Sequence, residues 1–183
     1  MRVRIRNSFS WVLATVGLVC LATSNLAQTK SSPALGEYPL TQVAMVVQDV
    51  DRAAERYSEL LGVPVPKATL TDALPQAHTR LRGQPTEGRA KLAFVRLKNI
   101  TIELIEPVGG PSTWQEFLEQ HGEGVHHIAF DVPQVDEHVA RFERAGGHVL
   151  QRGDFTGGQY LYVDATPQLG VIVELLTRQT ASK

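Results

Sequence analysis

The sequence predicts an α+β fold in which one βαβββ module occurs twice, and three observations carry that reading. The stretch Gly124-Val125-His126-His127-Ile128-Ala129-Phe130-Asp131-Val132 alternates like a half-buried strand, with Ile128, Phe130 and Val132 on one face and Val125, His127 and Ala129 on the other. Laid without a gap over an earlier stretch, it pairs Gln42-Val43-Ala44-Met45-Val46-Val47 with His127-Ile128-Ala129-Phe130-Asp131-Val132. The same offset pairs Val50-Asp51 with Val135-Asp136, Arg56-Tyr57 with Arg141-Phe142, and Gly62 with Gly147. The last strand of each half also carries one glutamate at the same place, in Ile100-Thr101-Ile102-Glu103-Leu104-Ile105 and in Val171-Ile172-Val173-Glu174-Leu175-Leu176.

The elements follow in order. Arg2, Arg4 and Arg6, then an apolar run, then small and polar residues make residues 1–27 read as a secretory signal peptide. Cleavage fits after Ser24 or Ala27, and Ala27 is preferred. The apolar run of roughly 14 residues falls short of the ~20 that a span needs, so no membrane contact is expected after cleavage; an uncleaved anchor is the competing reading. Residues 28–39 hold Pro33 and Gly36 and read as a flexible lead-in.

Module one covers 40–106. Its first strand is 40–47; Asp49 or Asp51 then caps a helix to Leu61 with a stripe of Ala53, Ala54, Tyr57, Leu60 and Leu61, stopped by Gly62. Residues 63–70 predict a short edge strand, because Pro64 and Pro66 cannot donate to a ladder. Residues 71–88 show no periodicity and read as a long loop of the kind that closes over a site. A hairpin of strands 90–97 and 100–106 turns at Lys98-Asn99.

A linker helix, 112–121, is capped by Ser112 and carries Trp114, Phe117 and Leu118 as its apolar residues. Module two, 124–177, repeats the plan with strand 125–132, helix 135–145 ended by Gly146-Gly147, strand 148–151, a Gly-rich turn, and strands 159–163 and 170–176.

With 183 residues, 43% of them hydrophobic, a formal net charge of −1 and no basic run in the body of the chain, the sequence gives no footprint for nucleic acid. Cys20, the sole cysteine, lies in the leader, so the mature chain has neither disulfide nor thiol chemistry.

The chemistry rests on the two glutamates. Each sits in an otherwise apolar strand, where an unpaired carboxylate would cost several kcal/mol or stay protonated. Equivalent strands of two modules closing around a pseudo-twofold axis can bring Glu103, Glu174, His127 and Gln42 into one cleft. Three oxygen donors and one imidazole suit one divalent metal ion, Zn²⁺, Ni²⁺, Co²⁺, Mn²⁺ or Mg²⁺, without choosing among them. His126 faces the packed side by parity and reads as structural, Trp114 and Phe117 read as core of the linker helix, and Glu106 as a strand-end residue.

At these residues the chain resembles the vicinal oxygen chelate superfamily, which includes glyoxalase I, methylmalonyl-CoA epimerase, extradiol dioxygenases and the bleomycin-resistance proteins. The resemblance spans 40–177, and HHIAFDV and TIELIEP look most like the epimerase and glyoxalase I branches. It implies a curved mixed sheet with helices on its convex side and a concave metal cleft, and ligands at Gln42, Glu103, His127 and Glu174. Modules pair within or between chains in this family, which is compatible with a homodimer. Two positions depart from the family pattern: Gln42 stands where His is usual, and Glu103 where the epimerase often has Gln. Two histidines and one carboxylate, as iron dioxygenases use, cannot be assembled from this set.

The expected activity is a metal-dependent isomerisation, epimerisation or lyase reaction on a small carbonyl compound. Glu174 or Glu103, while displaced from the metal, would remove the α-proton as the metal stabilises the enediolate. Asp72 and Glu87 are candidates for the additional carboxylate base of the epimerase. The alternative is a metal-free module that binds or sequesters a small molecule, as the resistance proteins do. The leader predicts a periplasmic or secreted protein, and hence a substrate other than methylmalonyl-CoA or a glutathione hemithioacetal, which are chiefly cytoplasmic.

Overall fold

The structure, a computed structural model, describes residues 34–178. The expected signal peptide, 1–27, lies outside the described residues. A 3-10 turn, Leu35–Glu37, leads in. Strand β1, Leu40–Val46, is followed by helix α1, Val50–Leu61, whose N-cap is Asp49 accepting from the Arg52 amide at 3.0 Å. Gly62 ends it in the left-handed conformation at φ 67°. The buried stripe of α1 is Val50, Ala53, Ala54 and Ser58; Leu60 and Leu61, expected in that stripe, are exposed, because they lie past the point where the helix leaves the sheet.

The expected strand over 63–70 shrinks to β2, Thr69–Leu70. The expected loop 71–88 is a correction: it contains α2, Leu74–Ala77, β3, Arg80–Leu81, and β4, Gln84–Pro85. This segment crosses to the other half of the molecule as a strap. The hairpin follows as β5, Gly88–Arg96, and β6, Thr101–Gly109. Glu106, near the end of β6, pairs with Lys91 at 2.8 Å and accepts from the Val50 amide, so it holds the start of α1.

Helix α3, Thr113–His121, is capped by the Ser112 side chain. Module two runs β7, Gly124–Asp131; α4, Val135–Arg144; β8, His148–Phe155; β9, Gly158–Asp164; a short α5, Thr166–Leu169; and β10, Ile172–Arg178. Among the described residues no helix is long and apolar enough to cross a membrane.

All ten strands form one mixed, curved sheet in the order β2-β5-β6-β1-β7-β10-β9-β8-β3-β4, a half-barrel with few helices. About the antiparallel β1–β7 seam the order β2-β5-β6-β1 mirrors β7-β10-β9-β8, as a tandem repeat requires, and β3 and β4 extend the second half beyond β8. Register repeats as well: β1 pairs parallel with β6, placing Ala44 beside Glu103, and β7 pairs parallel with β10, placing Ala129 beside Glu174. The strap adds β3 to β8, with Arg80 opposite Arg152.

Side chains of opposite parity supply three cores. On the convex side α1 packs on Ala93, Val95 and Leu104, and α4 on Val163, Val173 and Leu175. On the concave side α3 plugs one end with Trp114, against Ala44, Val46, Ile105 and Tyr162. The rest of the concave surface is free to form a cleft.

Candidate metal centre

Adjacent strands place same-parity neighbours on one face, so Gln42, Ala129 and Glu174 share a row across β1, β7 and β10, and Glu103, Ala44 and His127 share the next. Alanines at the two row centres leave room between the longer side chains. His127 is 0% exposed, Glu174 4% and Glu103 7%. His127 Nε2 stands 3.1 Å from Glu174 Oε2 and 3.5 Å from Glu103 Oε2, and Gln42 Nε2 donates to Glu103 Oε2 at 3.2 Å. The four residues expected at one site therefore meet at the floor of a cleft of about 780 Å³.

These groups fit a divalent cation. One donor atom each from Glu103, His127 and Glu174 lies within 4.8 Å of the others. Two donors held about 2.1 Å from one ion stand about 3.0 Å apart around an octahedron and about 3.4 Å around a tetrahedron, which brackets the closer approaches here. His127 Nε2 and Glu174 Oε2 are buried and, although 3.1 Å apart, are not aligned for a hydrogen bond, so a cation between them would satisfy both atoms better than they satisfy each other. Two carboxylates would also offset the double positive charge of such an ion at this largely buried position. Turning the Gln42 amide over would present Oε1 as a fourth donor.

Electrostatics follow from burial and crowding. Burial pushes the Glu103 carboxyl up, with the Glu174 charge adding to it and His127 opposing it. For His127 burial alone would lower the pKa, but the charge of Glu174, then the close approach and charge of Glu103, overcome it and hold the imidazole at about 9. Burial, then the charges of Glu174 and Glu103, push the Tyr162 phenol well above its usual range, and burial puts Tyr160 at about 12. Both tyrosines keep their protons.

His126 corrects the sequence reading. In β7 the register with β1 jumps from Ala44–His127 to Met45–Val125, so His126 is the extra residue of a β-bulge and parity breaks there. Val125 moves to the Met45 side, and His126 lies against the cleft-side rings of Phe117, His127 and Tyr162 rather than on the convex core. Its Nδ1 is 2.9 Å from His127 Nδ1. Trp114 is more than helix core: its Nε1 donates to the Tyr162 hydroxyl at 3.1 Å on the cleft wall. Of the two candidate bases in 71–88, Asp72 lines the cleft, whereas Glu87 is exposed and its carbonyl accepts from Gly110. Tyr160 and Tyr162 were not singled out from the sequence. Tyr162 faces Glu174 across the β9–β10 ladder as Phe94 faces Glu103 across β5–β6, so the repeat held the signal that could have found it.

Residues 41–163 match the profile of the glyoxalase/bleomycin resistance protein/dioxygenase superfamily. The chain belongs to this superfamily. An ethylmalonyl-CoA/methylmalonyl-CoA epimerase of Cereibacter sphaeroides is 31% identical over 141 residues, covering 74% of this chain and 95% of that protein. A 2-epi-5-epi-valiolone epimerase of an Actinomyces species is 29% identical over 150 residues, covering 77% and 80%. The crystal structure of methylmalonyl-CoA epimerase from Mycobacterium tuberculosis superposes with a TM-score of 0.56 at 22% identity, over 78% of this chain and 89% of that one, a likeness of fold. The superfamily member described here is an enzyme, and its sequence relatives support an epimerase or isomerase activity.

Proposed function

We propose that this enzyme is a divalent-metal-dependent epimerase or isomerase that removes and returns a proton α to the carbonyl of a small substrate. The observation that carries this is the convergence of His127 Nε2 and the Glu103 and Glu174 carboxylates at the floor of the cleft, where no well-aligned hydrogen bond satisfies His127 Nε2 or Glu174 Oε2. Glu103, His127 and Glu174, joined by Gln42 Oε1, would hold a cation whose charge stabilises the negative charge developing on the substrate's carbonyl oxygen. A base must have a free lone pair, so a glutamate of this set would act while displaced from the cation; Glu174 Oε2, 3.1 Å from His127 Nε2, accepts no well-aligned hydrogen bond, whereas Glu103 Oε2 accepts from Gln42. Glu174 is therefore the first candidate for the proton-abstracting group and Glu103 the second. Tyr160, whose hydroxyl accepts from Gln151 Nε2 at 3.2 Å and also meets the Thr79 side chain, lines the cleft wall. Trp114 and Tyr162 exclude water from the floor.

The imidazolium of His127 between two carboxylates is the observation favouring the second reading, a cleft that binds a small molecule without metal. Calorimetric titration with Mn²⁺, Ni²⁺ and Zn²⁺, followed by a screen of acyl thioesters, α-keto compounds and aldehydes with metal supplied, separates the two. Binding of metal together with solvent deuterium exchange at a substrate α-carbon supports the enzyme; neither binding nor a metal-dependent melting shift leaves the binding module. Export is part of the proposal, so a substrate without coenzyme A is expected to turn over best. Terminal sequencing of protein from whole cells should then show a start near Asn25 or Gln28.

A further inference from the structure

We propose that His126 is a positioning residue: it holds His127 with its proton on Nδ1, so that the Nε2 lone pair is the one presented to Glu103, Glu174 and a bound cation. This rests on the metal reading of the same centre. Two ring nitrogens 2.9 Å apart can share only one proton, so one Nδ1 is N–H and the other gives its lone pair. A neutral imidazole that offers Nε2 to a cation has its single proton on Nδ1. His127 therefore donates, His126 Nδ1 accepts, and the proton of His126 sits on Nε2.

The surroundings of His126 agree at each point. The bulge turns both imidazoles to one side of β7, where an unbroken strand would have put them on opposite faces. Edge-on rings of Phe117 and Tyr162, each with its centroid 5.4 Å away, fix the His126 plane from two sides. Its Nε2 is buried without a hydrogen-bond partner among the described residues, and the residue borders a small cavity of about 170 Å³ also lined by Thr113, His121 and Ile172. Protonated His127 donates from Nδ1 to the same partner, so the ring need not turn when a cation replaces the Nε2 proton. Metal-bound histidines commonly fix their second nitrogen in this way, on a carboxylate, a carbonyl or a water; here a second imidazole does it.

The test compares His126→Phe, which keeps a ring and removes the acceptor, with His126→Asn, whose Oδ1 can occupy the place of Nδ1. Calorimetric titration with Zn²⁺ and Ni²⁺ should show affinity falling about 10–100-fold in the Phe variant, and recovering to within about threefold of wild type in the Asn variant. Nitrogen-15 spectra of histidine-labelled, zinc-loaded wild type should show a protonated Nδ1 on His127 and a protonated Nε2 on His126. A folded Phe variant with wild-type affinity, or a His127 bound through Nδ1, overturns the inference. Should the wild type take up no Zn²⁺, the enzyme reading fails separately. The positioning role is then judged on the metal-free spectrum, where a proton shared between the two Nδ1 atoms supports it and its absence overturns it.

Discussion

His127 is buried completely and yet holds its proton more tightly than an exposed histidine, because two carboxylates surround it. Its folded pKa of about 9 lies above the ordinary 6.5, so the native state binds the proton more strongly than the unfolded chain does. That contribution to stability is complete below about pH 6.5 and is lost as pH rises through about 9. Glu103, raised by burial, has the same sign: its ionisation costs the fold. Metal-free protein should therefore melt at falling temperature from pH 6.5 to 9, and a saturating cation should flatten the slope, since it replaces the proton. A metal-free melting temperature that is constant or rises over this range would contradict the charge arrangement. Single variants divide the donors further. His127→Ala and Glu174→Ala should each abolish metal uptake, Gln42→Ala should only weaken it, and Gln42→His should strengthen it, most for Zn²⁺ and Ni²⁺, which favour imidazole; calorimetric titration reads all four. The convergence of these four side chains was legible in the sequence because a repeat with fixed register brings equivalent positions together. His126 was not, because a one-residue bulge leaves no mark in a period-two pattern.

Elements long enough to repeat a period announced themselves. Helix α1 showed its stop at Gly62 and narrowed its N-cap to Asp49 or Asp51, of which the structure uses Asp49, and the β5–β6 hairpin showed its turn at Lys98-Asn99. The strap did not: a four-residue helix and two strands of two residues each contain less than one informative period, and their pairing with β8 is decided by tertiary contact. It is anchored where it crosses, by the Arg82 fork on Glu116 at 2.8 Å and by His78 Nδ1, 2.8 Å from Asp154. Facing it, β8 carries Gly153, where a Cβ would lie 2.7 Å from the Tyr160 ring. Gly153→Ala should push that ring out of place, costing about 1–3 kcal/mol of stability and perturbing substrate binding while leaving metal affinity near wild type, since Tyr160 is not among the donors. Urea denaturation and metal titration of the variant measure both; loss of metal affinity in a folded protein would show that the cleft wall and the centre are not separable.

At the scale of the whole molecule, the twofold repeat that builds the centre would by itself let a ligand enter in either of two orientations, so an enzyme that handles one particular carbon needs the symmetry broken at the rim. The repeat places Phe94 opposite Glu103 and Tyr162 opposite Glu174; two residues further on, module one has Arg96 where module two has Asp164. Arg96 lines the cleft and is exposed, and among the described residues it makes no hydrogen bond or ion pair. The other arginine on the rim, Arg178, is engaged by Asp131 at 3.1 Å and stacks over Phe155. A guanidinium left free at one end of the cleft suits a planar anionic group, a carboxylate or phosphate, remote from the reacting carbon. A contact of that kind acts on ground state and transition state alike, so Arg96→Ala should raise KM for anionic substrates by about tenfold with kcat changed little. The effect should shrink for neutral analogues and at high salt, because an exposed charge is screened. Steady-state kinetics with an anionic substrate and its amide or ester analogue decide the matter: equal KM changes for the two would mean that Arg96 only shapes the rim and does not orient the ligand.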